Sequence, residues 1–323
     1  MRAVIAEGGR SRLVERPTPS PGPGQVRIRV AGAGLNRADL LQCLGRYAPP
    51  AGVTDVLGLE ASGVVDAIGE GVASVWLGRS VIALLRGGGM ADWVVCDVRE
   101  VAPAPSHLAL AEAGAWPEAW VTAHLHLVTL GRVAAGERAL VFGGAGGVGS
   151  AAIHILLRRG ASVVATAAGP ERCAYVSQLG AQPIDRLARY WTESLDALWP
   201  DGLDLALDTV GGEATGALVD RLRPDGRVAV VGLLGGARAT VDGARIIHRR
   251  LTLFGHGLRG LTEAARGTAL AAAMADIASL ATFATRSLPL ESVQDGLDQM
   301  RAGTIVGKLW LDVTTSQRHQ TSA

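Results

Sequence analysis

Leu140 to Gly149 read LVFGGAGGVG, and this stretch decides the fold. A short apolar run, 139–142, stops at glycines, and a helix-compatible stretch, 148–159, follows. Gly144, Gly146 and Gly149 satisfy G-x-G-x-x-G in the order strand, turn, helix, the context that gives the pattern its meaning. A backbone without Cβ lets a pyrophosphate approach closely. The free N–H groups and positive dipole end of the helix then stabilise its charge. Gly144, Ala145, Gly146, Gly147 and Val148 are therefore the candidate dinucleotide contacts of the loop.

The next strand, 161–167, reads ASVVATA. In chains that bind NAD, an acidic residue near the end of this strand holds the ribose 2′-OH. No Asp or Glu occurs between Gly160 and Gly169; Ala168 stands there, followed by Arg172 and, further on, Arg186. A missing carboxylate removes repulsion against a 2′-phosphate, and a guanidinium grips that phosphate in bidentate fashion. The cofactor expected is NADPH. Arg172 equally suits a solvated helix position, so the absent acid is the stronger half of this argument.

At 323 residues the chain suits two domains. A hydrophobic content of 48% with 19% charged residues supplies a large core, and a net charge of +1 argues against nucleic acid or an anionic membrane as partner. Lys308 is the only lysine, so the basic residues are otherwise arginine. Cys43, Cys96 and Cys173 are widely spaced and form neither a zinc-ligand pattern nor a disulfide framework. The N-terminus lacks the apolar core of a signal peptide, and no uncharged apolar run reaches membrane-spanning length; the expected location is cytoplasmic.

The first third is rich in Gly and Pro. Val26, Ile28 and Val30 alternate with Arg27 and Arg29 as a half-buried strand, and 61–68, 80–84 and 92–95 are further strand candidates. After about Ala113 strands alternate with helices: 139–142, 162–167, 203–207, 227–231 and 251–254 are apolar strands, with helices at 148–159 and 170–179 between. That pattern predicts an α/β fold with a doubly wound parallel sheet covered on both faces. Two glycine turns, DTVGG at 208–212 and GLLGG at 232–236, follow strands at their carboxyl ends, where open α/β sheets bind ligands. Helix candidates at 268–279 and 293–301, a strand at 308–313 and a polar tail from Thr314 complete the chain.

Together these parts resemble the medium-chain dehydrogenase/reductase superfamily, and within it the zinc-independent quinone oxidoreductases of the zeta-crystallin-like branch. The matching stretches are LNRADLL (35–41), GLEASG (58–63), VDAIGEG (65–71), the phosphate loop, DTVGG (208–212), VGLLG (231–235) and Gly307-Lys308. The resemblance implies a GroES-like β-rich catalytic domain over 1–118, completed by 256–323, with a Rossmann domain over 119–255. It also implies a homodimer or homotetramer, and cofactor contacts from Asn36, Thr122, Val210, Gly232, Leu233, His256 and Lys308. Zinc-dependent relatives carry a Cys near Asn36 and a His at Leu59; neither is present, so no metal is expected. His124 and His126 are two apart and lack the i,i+4 spacing of a metal helix, so both read as helix-surface or packing residues.

Without a metal to polarise a simple ketone, a conjugated alkene or quinone is the better hydride acceptor, because its own carbonyl takes up the charge. The function expected is NADPH-dependent reduction of a quinone or other conjugated carbonyl, a small-molecule substrate. An enoyl or enone reductase of a biosynthetic pathway is the alternative, and a non-catalytic NADPH-binding protein a third. Asn36 and Tyr47 are the catalytic candidates, the first to orient substrate or ribose, the second to donate to a developing oxyanion. Tyr47 equally suits a brace for the loop GRYAP (45–49), and His256 equally suits packing against the cofactor. Arg37 and Asp39 are expected to brace their loop, and Met90 and Trp93 to reshape the substrate pocket.

Overall fold

The computed structural model describes residues 1–277 and 284–314. The chain forms two compact units: Met1–Glu118 with the described residues from Leu258 onward, and Ala119–Gly257.

The first unit opens with a hairpin that the sequence reading did not contain. β1 (Arg2–Glu7) and β2 (Arg10–Glu15) pair antiparallel across Gly8 and Gly9, both at positive φ. Two such residues form the tight turn whose twist matches the strands. β2 is mostly exposed and half of its residues are charged, so it carries little apolar alternation to read.

β3 (Gln25–Gly34) is central and buries Val26, Ile28 and Val30, as their alternation predicts. It leads into α1 (Arg37–Cys43). β4 (Glu60–Ile68), β5 (Ser80–Leu84), β6 (Trp93–Asp97) and β7 (Val101–Pro103) continue an antiparallel sheet. α2 (Leu110–Ala113) packs so close to β3 that a Cβ on Gly32 would lie 1.9 Å from the Ala111 carbonyl oxygen. α3 (Pro117–His124) then runs into a π-helical segment, Leu125–Leu130.

The second unit is a six-stranded parallel sheet in the order β10-β9-β8-β11-β12-β13. Its strands are β8 (Arg138–Phe142), β9 (Ser162–Ala167), β10 (Gln182–Asp185), β11 (Leu203–Asp208), β12 (Leu222–Val230) and β13 (Thr252–Phe254). α4 (Gly147–Arg158) and α5 (Pro170–Gln178) precede β9 and β10; α6 (Trp191–Leu198), α7 (Glu213–Asp220) and α8 (Gly243–Arg249) follow. The strand order reverses between β8 and β11, the switch point where such sheets bind ligands. The core joins Leu140, Val164, Ala206, Leu218 and Val228, each contributing about 1.5–3 kcal/mol when large and fully buried. β10 went unread because Pro183 interrupts its short apolar run, and β12 starts earlier than read, before the turn-like Pro224-Asp225-Gly226.

α9 (Glu263–Ile277) and α10 (Val293–Ala302) belong to the first unit, whose sheet is completed by β14 (Thr285–Pro289) and β15 (Lys308–Asp312), the latter against β3. The end of the helix expected at 268–279, and the polar tail beyond Thr314, lie outside the described residues. Met90 is fully buried in the core of this unit beside Val4, Leu57 and Val94, and so cannot line a pocket; Trp93 donates its indole N–H to Asp66 at 2.8 Å. No helix among the described residues is long and apolar enough to cross a membrane.

Candidate active site

The phosphate loop lies between β8 and α4. Gly143 holds φ +97°, which an L side chain rarely adopts, and its N–H donates to Thr166 Oγ1 at 3.1 Å. The three motif glycines divide their work. A Cβ on Gly144 would meet Ala165 at 2.7 Å, and one on Gly149 would meet the Gly143 carbonyl oxygen at 2.2 Å, so both exist for close packing. A Cβ on Gly146 would meet nothing within 4 Å. Gly146 caps α4, whose first-turn N–H groups at Gly147 and Val148 have no intrahelical acceptors. Open space before unpaired donors is a cradle for a phosphate, and the residues fit a dinucleotide.

The adenosine side is set by strand pairing. Ala168 follows the end of β9, Arg172 Nη1 donates to the Ala168 carbonyl at 3.2 Å, and Arg186 N–H donates to the Ala167 carbonyl at 2.8 Å. Arg186 is exposed and lines a cavity of about 410 Å³ with Phe142, Trp191, Val210 and Glu213, at the switch point. One acid was missed. Asp185, brought alongside by β10, accepts N–H groups of Gly169 at 3.0 Å and Leu187 at 2.9 Å through Oδ1, and these bonds hold its carboxyl below the usual range.

Asp208 ends β11 fully buried, which its acceptance of Val210 N–H, Gly211 N–H and the Thr215 hydroxyl explains. Gly235 N–H donates to the Val210 carbonyl at 2.7 Å, and a Cβ on Gly232 would lie 2.0 Å from the Thr209 carbonyl oxygen, lacing the two glycine turns together. Leu233 is left 59% exposed at this edge.

Thr122 and His256 are joined through a residue the sequence reading set aside. Of the two roles expected of it, surface or packing, His126 takes the second: it is fully buried, its Nδ1 lies 2.7 Å from the Thr122 carbonyl oxygen, and its Nε2 accepts the His256 N–H at 3.0 Å. These partners require a neutral ring with the proton on Nδ1, and burial lowers its pKa further. His124 is buried as well.

In the first unit, Lys308 is the centre of a buried polar cluster. Its ammonium donates to Asn36 Oδ1 and lies 2.6 Å from Glu60 Oε1, which also accepts Asn36 Nδ2 at 2.8 Å. Gly34 makes room for this carboxylate: a Cβ there would sit 2.1 Å from Glu60 Oε1. Glu60 Oε2 accepts the Glu118 N–H at 2.8 Å. Asp39 braces the loop through backbone, accepting Asn36 N–H at 2.8 Å and Gly58 N–H at 3.1 Å, while Arg37 reaches the Met300 carbonyl at 3.3 Å and not Asp39. Burial pushes Asp39 up to about 6 despite those bonds, and burial together with the negative Glu60 pushes Glu118 up to about 8.

Tyr47 is half-buried in its loop. Burial and the negative charge of Glu118 raise its phenol, and the Arg259 cation opposes them. Glu60, Glu118 and Arg259 were not among the residues read from sequence; a lone acid inside GLEASG carries no signal until Lys308 is folded against it. A zinc ion does not fit this cluster. Leu59 and Asn36 offer neither imidazole nor thiolate, the Lys308 ammonium already occupies the place beside Glu60, and no group of three metal-ligating side chains occurs among the described residues.

Comparison with known proteins agrees with the two-unit fold. Residues 22–106 match the alcohol dehydrogenase GroES-like domain, and 147–274 match the zinc-binding dehydrogenase family. A phenolphthiocerol/phthiocerol polyketide synthase of Mycobacterium tuberculosis is 36% identical over 208 residues, 62% of this chain but only 9% of that protein. The crystal structure of an NAD-dependent alcohol dehydrogenase superposes with a TM-score of 0.85 at 27% identity, covering 97% of this chain and 100% of that one. A mycobacterial quinone oxidoreductase gives 0.81 at 25% identity, covering 96% and 99%. With both family regions matched in chain order and whole-length superposition on such enzymes, the protein belongs to the medium-chain dehydrogenase/reductase family and is of its quinone oxidoreductase type.

Proposed function

We propose that the protein is an NADPH-dependent reductase of conjugated carbonyl compounds, with quinones as the first acceptor class. The observation that supports this reading is the Lys308–Glu60–Asn36 cluster, whose polar groups pair with one another and offer neither imidazole nor thiolate to a metal that could polarise an isolated ketone. An acceptor reduced without such help must spread its own charge onto a carbonyl oxygen. Bound NADPH supplies the hydride. Gly146 and the first turn of α4 would hold its pyrophosphate, and Arg172 and Arg186, near Ala168, would bind the 2′-phosphate. Leu233, exposed at the carboxyl edge, offers apolar contact to the nucleotide.

A phenol is protonated at neutral pH, and Tyr47, whose pKa is raised further by burial, is the donor we assign to the acceptor's carbonyl oxygen. One hydride and one proton convert a quinone to a hydroquinone, or an enone to its saturated ketone. The match to a polyketide synthase favours an α,β-unsaturated thioester as the second acceptor class to test. In solution we take the chain to be a homodimer or homotetramer, because the outer edge of β13 has no strand partner among the described residues; sedimentation measures this directly.

The test is NADPH oxidation against a panel of quinones, enones and acyl thioesters. Turnover with quinones or enones, and not with simple ketones, is the expected result. Turnover confined to simple ketones, or dependent on added zinc, defeats the proposal. For the cofactor, Arg186→Ala and Arg172→Ala weaken NADPH binding about tenfold or more and leave NADH nearly unchanged. Asp185 is the residue to watch, because a variant losing both cofactors equally points to its carboxylate and away from the arginines.

A further inference from the structure

Arg259 lies in the short turn Leu258–Gly260 and is only 4% exposed. Each of its three guanidinium nitrogens donates to one neighbourhood of the first unit. Nε donates to the Arg86 carbonyl at 2.7 Å, Nη1 to the Tyr47 carbonyl at 3.1 Å, and Nη2 to Gln42 Oε1 at 2.7 Å. Gln42 is itself oriented, since its Nε2 donates to the Asp55 carbonyl at 3.2 Å and so turns Oε1 toward the arginine. The guanidinium carbon stands 5.1 Å from the centroid of the Tyr47 ring.

Among the described residues Arg259 makes no ion pair. Burying a cation against neutral acceptors alone is costly, and burial lowers its own pKa accordingly. A strut joining α1, the loop at 45–49 and Arg86 needs only the hydrogen bonds, which a neutral side chain also supplies. What only a cation supplies is its charge against the ring face. That charge is attractive to the ring face and stabilises the negative charge the phenol takes on as it gives up its proton.

We propose that Arg259 is a positioning residue for Tyr47: it clamps the loop by its backbone and ring face, and its charge makes the phenol a stronger hydrogen-bond donor toward the carbonyl oxygen of the acceptor. The proposal rests on Tyr47 being that donor. The charged groups acting on Tyr47 are Glu118, which opposes ionisation of the phenol, and Arg259, which favours it; Arg259 also feels Asp39, Glu118 and Arg86.

The chain has three tyrosines, Tyr47, Tyr175 and Tyr190, so subtracting the Tyr47→Phe protein isolates one phenol in an absorbance titration. Uniform 3-fluorotyrosine labelling brings the titration into a range the fold withstands. Arg259→Met keeps the stem and removes the charge; Arg259→Lys keeps the charge and removes the fork. The Tyr47 midpoint is expected to rise in Arg259→Met and to move less in Arg259→Lys. Turnover of Arg259→Met is expected to fall about tenfold, with no further loss when the change is made in Tyr47→Phe. A midpoint that stays or falls in Arg259→Met overturns the proposal, as does an equal loss of turnover in the Tyr47→Phe background. Should Arg259→Met fail to fold, Arg259→Lys decides: a raised midpoint with partial turnover supports the assignment, and unchanged values of both refute it. If Tyr47→Phe alone keeps full turnover, Tyr47 is not the donor, and the titration still reports whether Arg259 governs its phenol.

Discussion

The backbone N–H of His256 ends on Nε2 of His126, 130 residues earlier in the chain, and the same ring reaches the Thr122 carbonyl from Nδ1. One buried imidazole thus ties together two segments that the family resemblance assigns to the cofactor. His126→Phe leaves both backbone groups without this partner and is expected to cost about 1–3 kcal/mol in a urea titration. The pH dependence has a definite sign. Because the folded pKa lies below the unfolded value near 6.5, the unfolded chain takes up a proton first, and stability is lost as pH falls below about 6.5. The variant lacks that acid slope, and a parallel slope in both proteins contradicts the assignment.

Gly146 and Gly149 are expected to separate binding from folding. Gly149→Ala drives a methyl group into the Gly143 carbonyl oxygen, so a lowered melting temperature or loss of soluble protein is predicted. Gly146→Ala meets no protein atom and keeps its melting temperature, while the methyl group intrudes on the phosphate cradle and raises the NADPH dissociation constant about tenfold. Calorimetry and nucleotide titration read the two effects independently.

The Lys308–Glu60 pair is buried on both sides, so breaking it from one side is severe. Lys308→Met strands the Glu60 carboxylate and is predicted to destabilise the protein by about 3–5 kcal/mol. The double change Glu60→Gln with Lys308→Met recovers most of that loss. Denaturant midpoints of the two variants decide the matter: if the double variant is no better than the single one, the pair is not the source of the penalty.

Glu118 gives a second pH signature, opposite in direction to that of His126. Its folded pKa of about 8 lies far above the unfolded value, so between roughly pH 4.5 and pH 8 only the unfolded chain releases the proton. Stability contributed by the neutral carboxyl is complete below the unfolded pKa and is lost as pH rises through about 8. Glu118→Gln removes this loss. Its melting temperature should exceed that of the unaltered protein by a few degrees at pH 8 and converge with it near pH 4.5.

Much of the fold is legible in the sequence because its signals are local. The glycines of 143–149 follow an apolar strand directly, Ser162–Ala167 coincides with β9, and the alternation at Val26, Ile28 and Val30 matches β3. The hairpin β1–β2 was illegible because an exposed charged strand has no buried face to mark it. Asp185 escaped the search for an acid after β9 because that search ran along the chain, whereas parallel pairing of β10 brings the carboxylate in from the side. Arg259 and Glu118 carried no motif, and Met90 was misplaced because a glycine turn does not reveal which way its neighbour points.

The sequence by itself determined the succession of strands and helices, the phosphate loop and the missing acid after the second strand, because each depends on neighbours within a few residues. Only the tertiary structure decided which polar groups meet. Lys308 reaches Asn36 and Glu60, Arg259 reaches Tyr47, and His126 reaches His256 across long stretches of chain. The reason is energetic: a buried charge or N–H must find a partner on folding, and the sheet order, not the spacing along the chain, determines which partner is within reach.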